Sequence, residues 1–488
     1  VTHGSNRISG CNTRVYLPMN DYMICMINNF FSACLMLTAI FSGCSKTSSG
    51  KATGETGPAV TYYVDSQNGN DSQTGRSAGG AWKSLSRLQQ ASLHPGDSVR
   101  FLRGSAFTGP LQISASGSAN HLIVLTDYGN AADPAPAFTN PVFQQDNFGN
   151  AIRVTGSYVC VENLYFHHTA AFVSGTYQTD GWPVWEMGAI HIAREAKYCV
   201  VRNNEIYDCV AGIKSNGEHT RISNNYIHDC NRVLKEWDWG PIGIWFGADY
   251  QEADHNRIFN YRAEDPRIRW KSGIGGGADG GAFEIDNARY DKSHISIHHN
   301  YTRDCQGFLE VTWSDVASNA RYTGLKIYQN ISDDYQQFLA LWAGKDCEID
   351  NNTIIRRKVN VNDWGVFNIA QNNSRNKIRN NLIITEKSIP IFNTGLNADH
   401  FPKDIIRHNL YYAASGSLTM GKEGAGEAAV YGNPRLFNYQ NAERPEDFAL
   451  GSGSAAIDQG EDLGFSSDFI QTPVPQGTGP DIGAYEFK

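Results

Sequence analysis

The chain has 488 residues, of which 48 are glycine and 17 are proline, and only 19% are charged. This length and composition exclude an intrinsically disordered protein and allow a long buried core. The formal net charge of -9 argues against a nucleic-acid partner, because proteins that bind nucleic acids present basic surfaces.

Residues 1–44 are predicted to be a leader that ends in a lipoprotein signal. An apolar stretch runs from Met26 to Cys44, is short for a membrane span, and ends in small residues before a cysteine. The segment Phe41 to Cys44 resembles a lipobox, and this resemblance implies lipidation at Cys44. We therefore expect an exported protein attached to the bacterial outer membrane only by a lipid anchor, on its periplasmic or cell-surface side.

A flexible linker is predicted over residues 45–58, which are rich in Ser, Thr and Gly. Beyond it, an asparagine recurs between short apolar strands roughly every 20 to 30 residues, with larger gaps, and such a repeat indicates a solenoid. The recurring residues are Asn204, Asn225, Asn256, Asn300, Asn330, Asn352, Asn381 and Asn409. Asparagine suits a sharp turn because it tolerates the left-handed region and its amide can hydrogen-bond along a stack. We predict an all-β fold, a right-handed parallel β-helix (solenoid) over residues 59–440, followed by a closing segment over 441–488.

Six cysteines follow Cys44, and none has the spacing of metal ligands, so we expect no metal site built on cysteine. The favoured interpretation is that they are small apolar thiols stacked inside the coil. In an exported protein, a disulfide between Cys209 and Cys230 of adjacent coils is the alternative.

Aligning the coils on their apolar positions predicts a row of outward-facing residues on one sheet. If Ile244, Ile285 and Val311 point inward at equivalent positions, alternation sends their neighbours outward. This brings together three acidic residues and several possible partners, namely Glu284, Asp286, Glu310, Lys214, Trp245, Thr312 and Trp342.

The acidic residues are the candidate catalytic groups. Neighbouring coils lie roughly 4.8 Å apart, and a retaining glycosidase needs two carboxyl groups about 5–5.5 Å apart. We assign Asp286 as nucleophile and Glu310 as general acid/base, with Glu284 balancing the charge of the site or replacing Asp286.

Aromatic residues near this row are candidate sugar-binding groups. Trp245, Trp313 and Trp342 fall on or beside it, and exposed aromatic faces along a groove suit sugar rings. A long loop from Tyr261 to Gly281 contains Trp270 among basic residues. We therefore assign these four tryptophans and Lys214 to substrate binding.

Both ends of the mature chain resemble secreted bacterial right-handed parallel β-helix proteins, many of which degrade polysaccharides. The opening motifs include Tyr62 to Asp65 and Trp82 to Leu85, and the closing motif is Pro480 to Phe487. The segment Phe308 to Val311 is also similar to the Phe-x-Glu-Val strand of the β-xylosidases of glycoside hydrolase family 120. This resemblance implies a glycoside hydrolase that acts on a polysaccharide or oligosaccharide and requires no cofactor.

Two other functions stay open. Glu284-Ile285-Asp286 resembles the Glu-x-Glu strand with which polysaccharide lyases similar to chondroitinase B and the alginate lyases bind calcium, which implies a possible Ca²⁺ and a base at Arg289 or Lys292. The next coil, however, has Glu310 where that resemblance predicts an arginine. A non-catalytic glycan-binding surface protein, in which the acids form a solvated face, is the third interpretation.

Overall fold

A computed structural model describes residues 58–144, 147–173, 186–233, 240–265, 277–285, 291–311, 322–358, 365–369, 373–393, 405–421 and 424–488. In these residues the chain winds into a coil whose successive turns add parallel strands to three long sheets, named A, B and C. Within the described residues no helix is both long and apolar enough to cross a membrane. The predicted leader, including Cys44, and nearly all of the predicted linker lie outside them.

The strands of sheets A and B are short and regularly spaced along the described chain. Sheet A comprises Thr61–Val64, Ser98–Leu102, Ile123–Tyr128, Val159–Glu162, Val200–Arg202, Arg221–Ser223, Glu252–Asp254, Ser296–His298, Lys326–Tyr328, Glu348–Asp350, Lys377–Arg379 and Ile405–Arg407. Sheet B comprises Ala106–Thr108, Ala137–Thr139, Tyr165–His167, Glu205–Tyr207, Tyr226–Cys230, Arg257–Tyr261, Tyr301–Arg303, Ile331–Asp333, Thr353–Arg356, Leu382–Thr385, Leu410–Ala413 and Val430–Tyr431.

Sheet C positions the candidate site. It comprises Leu111–Ile113, Ile152–Val154, Ile190–Ile192, Ala211–Ser215, Ile242–Phe246, Gly281–Ile285, Leu309–Val311, Leu339–Leu341, Phe367–Ile369 and Phe392–Asn393. Smaller sheets are formed by Val142–Gln144, Asn147–Phe148 and Phe172–Val173, by Ala263–Asp265 and Gly277–Asp279, and by Lys292–Ser293, Tyr322–Thr323 and Gly344–Lys345. The described helices are one α-helix, Leu85–Gln89, and three 3-10 turns, Ala78–Gly80, Tyr439–Asn441 and Pro445–Phe448.

The interior of the coil is a stack of apolar side chains. Strand residues alternate between the interior and the outer surface, so each coil places aliphatic or aromatic groups on those of the coil before it. In sheet C, for example, Ile213, Ile244 and Phe283 are aligned on successive strands and are buried. Each such side chain contributes about 1.5–3 kcal/mol by leaving water.

The asparagine repeat forms a continuous ladder, as predicted. The backbone N–H and the side-chain Nδ2 of Asn256 both donate to Oδ1 of Asn300 on the next coil, at 2.9 and 3.0 Å. The same pattern joins all eight asparagines named above. The left-handed backbone falls on the residue before each rung, such as Asn203 (φ 56°) and His299 (φ 54°). The left-handed backbone expected of asparagine therefore falls on one residue, and the amide hydrogen bonding falls on the next.

The six cysteines of the described residues are buried, free thiols. The interpretation as small apolar residues is confirmed for them, and the alternative disulfide between Cys209 and Cys230 is wrong. The thiols lie inside the coil, where Cys209 and Cys230 belong to the apolar core.

Residues 459–487 lie across the turn between sheets A and B and bond to several coils. Gln329 Nε2 donates to the carbonyl of Ser467 at 2.6 Å, and Asn351 Nδ2 donates to that of Gly483 at 3.1 Å. Phe469 stacks on His299 at 6.0 Å between ring centroids. This segment therefore connects coils that are distant from it in sequence.

Candidate functional site

The outer face of sheet C carries one aligned row of side chains, called the sheet C row below. Strand pairing sets its members directly opposite one another on successive coils. They are Gln112, Arg153, His191, Lys214, Trp245, Glu284, Glu310, Ala340, Asn368 and Asn393. Arg153 and Lys214 give the row positive charge before Trp245, and Glu284 and Glu310 make it acidic on the two coils after it.

The register at Glu284 differs by two residues from the predicted alignment. That alignment sets Ile285 opposite Ile244, whereas the structure sets Phe283 there and Ile285 opposite Phe246. The reason is that the strand starts at Gly281, opposite Ile242. A shift of two residues keeps every side chain on its predicted face. Its effect is to bring Glu284 directly beside Trp245.

Glu284 and Glu310 are paired across adjacent parallel strands, and both are partly buried. Their flanking residues, such as Ile285 and Val311, are buried in the core, so both acids project from the outer face. Strands in a sheet are about 4.8 Å apart, which allows two carboxyl groups to approach the 5–5.5 Å of a retaining glycosidase. Asp286, the predicted nucleophile, lies outside the described residues, as do Trp270, Trp313, Thr312 and Arg289.

Lys214 and Trp245 form a buried pair at the centre of the row. The Lys214 ammonium lies 3.6 Å from the centroid of the Trp245 ring, and the two residues are 1% and 2% exposed. Cation–π contacts contribute about 2 kcal/mol when they are desolvated. The open aromatic surface expected at Trp245 is not observed, because one face of the ring meets this ammonium. Trp342 is also buried and packs with Ala340.

The sequence interpretation missed a polar cluster on the first coils of the row. Arg153 Nη2 donates to Glu186 Oε2 at 3.2 Å, and Arg153 Nε lies 3.4 Å from His191 Nδ1. His191 Nε2 lies 3.4 Å from Glu186 Oε2 and 3.2 Å from Asn216 Nδ2. The sequence does contain the signal, because Ile152-Arg153-Val154 and Ile190-His191-Ile192 alternate as the later strands do.

Burial and neighbouring cations set the charges of this cluster. Burial holds the pKa of His191 well below its usual value, and Arg153 and Lys214 lower it further. Burial also raises the pKa of Glu186, although Arg153 and Lys214 oppose that shift. A neutral His191 can accept from Arg153 at Nδ1 and donate to Glu186 at Nε2, which orients both side chains.

Calcium and the lyase base remain predictions. The described residues hold no group of three or more His, Cys, Asp or Glu side chains placed to hold a metal ion. Lys292 is buried in the small sheet with Tyr322, so it stands outside the sheet C row.

Comparison with known proteins supports the fold. The family model "Right handed beta helix region" matches residues 113–260 and 185–354. The chain is 28% identical over 324 residues to a lacto-N-biosidase of Bifidobacterium longum subsp. longum, a match that covers 55% of this chain and 20% of that protein. The chain thus spans about a fifth of the length of this curated relative.

Two solved structures are similar along most of the chain. The structure of XylC with xylose is 10% identical, with a TM-score of 0.52, and the match covers 88% of this chain and 98% of that one. Pectate lyase Pel9A is 14% identical, with a TM-score of 0.51, and the match covers 88% and 96%. Together with the three parallel sheets, these similarities identify the chain as a right-handed parallel β-helix protein.

Proposed function

We propose that the chain is a glycoside hydrolase that cleaves an oligosaccharide or polysaccharide with a pair of carboxyl groups on the sheet C row. The observation that carries this proposal is the direct pairing of Glu284 with Glu310 on adjacent strands. The similarity to a lacto-N-biosidase, a glycoside-cleaving enzyme by its name, supports the same class.

The spacing of adjacent strands favours a retaining mechanism in two steps. In the first, the Glu284 carboxylate attacks the anomeric carbon and forms a glycosyl ester, while the Glu310 carboxylic acid protonates the departing glycosidic oxygen. In the second, the Glu310 carboxylate takes a proton from water, and the resulting oxygen nucleophile attacks the anomeric carbon and releases Glu284. Asp286, the nucleophile assigned from the sequence, lies outside the described residues and is kept as the alternative to Glu284.

The basic half of the row gives the substrate an orientation. Lys214 is separated from Glu284 by one strand, so its ammonium and the Trp245 ring border the acidic pair. Because Glu186 and His191 hold Arg153, a second cation is fixed further along the same row. Arg153, whose side chain is 30% exposed, can contact the substrate directly. The buried Lys214 acts on the acidic pair through its charge.

The first test is product analysis with purified residues 45–488 on a panel of plant and host glycans. New reducing ends without ultraviolet absorbance, lost in Glu310→Gln, would support hydrolysis. An absorbing unsaturated product that disappears with chelator would instead establish the calcium-assisted lyase. Glycan binding without any product, unchanged in Glu310→Gln, would point to the non-catalytic binding protein.

The nucleophile is identified separately by trapping the ester. A 2-deoxy-2-fluoro glycoside of the cleaved sugar slows hydrolysis of a covalent intermediate, so the labelled peptide can be found by mass spectrometry. We expect the label on Glu284, and a label on Asp286 would transfer the nucleophile role to that residue. Labelling should then be lost in Glu284→Gln and survive in the matched variant Asp286→Asn.

Export and lipid anchoring at Cys44 are part of the same proposal. The apolar stretch before Cys44 supports them. Expression of the full chain and of Cys44→Ala in a Gram-negative host tests them by fractionation. A membrane-bound parent and a released variant are expected, and equal distribution of the two proteins would contradict anchoring.

A further inference from the structure

A second groove lies on the outer face of sheet A, beneath residues 461–465. At one end of this segment, Asn380 donates from Nδ2 to the carbonyl of Glu461 at 2.8 Å, and its Oδ1 accepts from the backbone of Glu461 at 2.9 Å. At the other end, Phe465 stacks on Tyr328, with 5.2 Å between ring centroids. Residues 462–464 span the intervening coil and leave a cavity of about 380 Å³.

The floor of this groove is a fixed array of charged groups. The Arg379 guanidinium binds Asp350 with two hydrogen bonds, of 3.0 and 2.6 Å, and lies 3.6 Å from Glu348. Asp350 is only 3% exposed. Lys377, which is paired with Glu348 on the adjacent strand and does not line the cavity, donates to it at 2.8 Å. A ligand would therefore meet a floor whose polar groups are already oriented.

The walls combine apolar surface with charge. Tyr328, Phe465 and Leu463 supply aromatic and aliphatic surface beside the Asp350–Arg379 floor. The lining holds two cations and four carboxylates, namely Lys326, Arg379, Glu348, Asp350, Glu461 and Asp462. This excess of acids disfavours an anion, and no metal-binding cluster is found within the described residues. The volume is within the range of about 300–1,000 Å³ that holds small ligands.

We propose that this groove binds a neutral saccharide at a site separate from the sheet C row. Sugar hydroxyls donate to carboxylates and accept from Lys326 and Arg379, while the C–H face of a sugar ring packs on Leu463 and the aromatic wall. Because sheets A and C are different faces of the coil, one glycan segment can be held here while another occupies the acids. The inference goes beyond the proposed function and does not depend on it.

The test measures binding stoichiometry by calorimetry. Xylohexaose, chitohexaose and a neutral galactan hexasaccharide are titrated into the Glu310→Gln protein, which prevents turnover, and hexagalacturonate serves as the anionic probe. Leu463→Trp, added to the same background, fills the groove and is expected to remove one binding event per chain or to weaken it at least tenfold. Lys197→Ala, at an exposed lysine that pairs with Glu218 and does not line the groove, is the control and should bind as the parent does.

The measured stoichiometry tests the groove whether or not the protein hydrolyses the saccharide. If the sheet C row also binds the sugar, the stoichiometry falls from two to one, and if it does not, it falls from one to zero. Lys326→Ala, which changes an exposed side chain at the rim, replaces Leu463→Trp if that variant does not fold. Binding unaffected by either variant, tighter binding of hexagalacturonate, or no binding of any neutral hexasaccharide would overturn the proposal.

Discussion

The asparagine ladder and the sheet C row follow the same coil but differ in how they use it. The ladder keeps one residue type through eight rungs, and each rung satisfies backbone and side-chain groups of its neighbours. The row changes residue at almost every coil, from arginine through histidine and lysine to glutamate. Packing demands recur at every coil, so a position that does not repeat is set by something other than packing.

The comparison predicts that the largest loss of activity comes from the row. Glu310→Gln should lower kcat by roughly 10²–10⁴-fold, because it removes a proton donor and acceptor. The urea unfolding midpoint should hardly move, since Glu310 is only partly buried. Glu162→Gln, a carboxylate on sheet A that binds Arg202, is the control and should retain activity. Equal kcat values for Glu310→Gln and the parent would contradict a catalytic role for the sheet C row.

A rung of the ladder should show the opposite effect, a loss of stability with no direct part in catalysis. Asn300→Ala leaves the backbone N–H of Asn256 and the carbonyl of Ala253 without their partners in the interior. Each unsatisfied buried group costs about 1–3 kcal/mol, so we expect a loss of about 3 kcal/mol in unfolding free energy. Asn368→Ala, at an asparagine of the sheet C row, should cost about 1 kcal/mol. Similar losses of unfolding free energy in the two variants would show that the ladder contributes no more to stability than the sheet C row does.

The residue before a rung allows a pH test. Burial and the neighbouring His298 and His255 lower the pKa of His299 to about 4. As pH falls from about 7, the unfolded chain binds a proton at this position before the folded chain does, so stability decreases. His299→Asn places there the residue found in other coils at the same left-handed position. Relative to the parent, the variant should gain on the order of 2 kcal/mol of unfolding free energy between pH 8 and pH 4.5.

This pH effect is measured by urea unfolding of both proteins across that range. His408→Asn, at an equivalent left-handed position where the imidazole is only partly buried, is the control and should follow the parent. Parallel stability profiles for His299→Asn and the parent would show that His299 does not titrate differently in the folded state.

The smallest effect is expected at the centre of the row. Lys214→Met keeps the length of the side chain and its packing on Trp245 but removes the charge beside the acidic pair. We expect kcat/KM to fall about tenfold, because a unit charge two strand spacings away, about 10 Å, interacts with the acids by on the order of 1–2 kcal/mol. Lys197→Met, at an exposed lysine paired with Glu218, should leave both constants unchanged. A change in kcat alone would place Lys214 in the chemical step.

The fold was predictable because its signal repeats. Eight asparagines and an alternating apolar pattern are enough to specify parallel coils, and the faces of Lys214, Glu284 and Glu310 follow from that alternation. The strand register at Glu284 was harder to predict from the sequence. Both Phe283 and Ile285 are apolar, so only the start of the strand at Gly281 decides which of them lies opposite Ile244.

Other parts of the site depend on contacts that no local pattern reveals. The exposure of Trp245 is set by what packs on its ring, and Lys214 belongs to a different strand. Glu186 reaches His191 and Arg153 from outside any strand of sheet C. The sheet A groove requires Phe465 to lie on Tyr328, a pair separated by more than a hundred residues. Such distant pairings are decided by tertiary structure alone.

The segment over residues 459–487 has a consequence for how the coil unfolds. In a simple solenoid each repeat contacts only its neighbours, so end coils can fray independently. Here Gln329, Asn351 and Asn380 bond to this one segment, which ties their coils together. The later coils should therefore unfold as one cooperative unit. During synthesis, they reach their final stability only after this segment has left the ribosome.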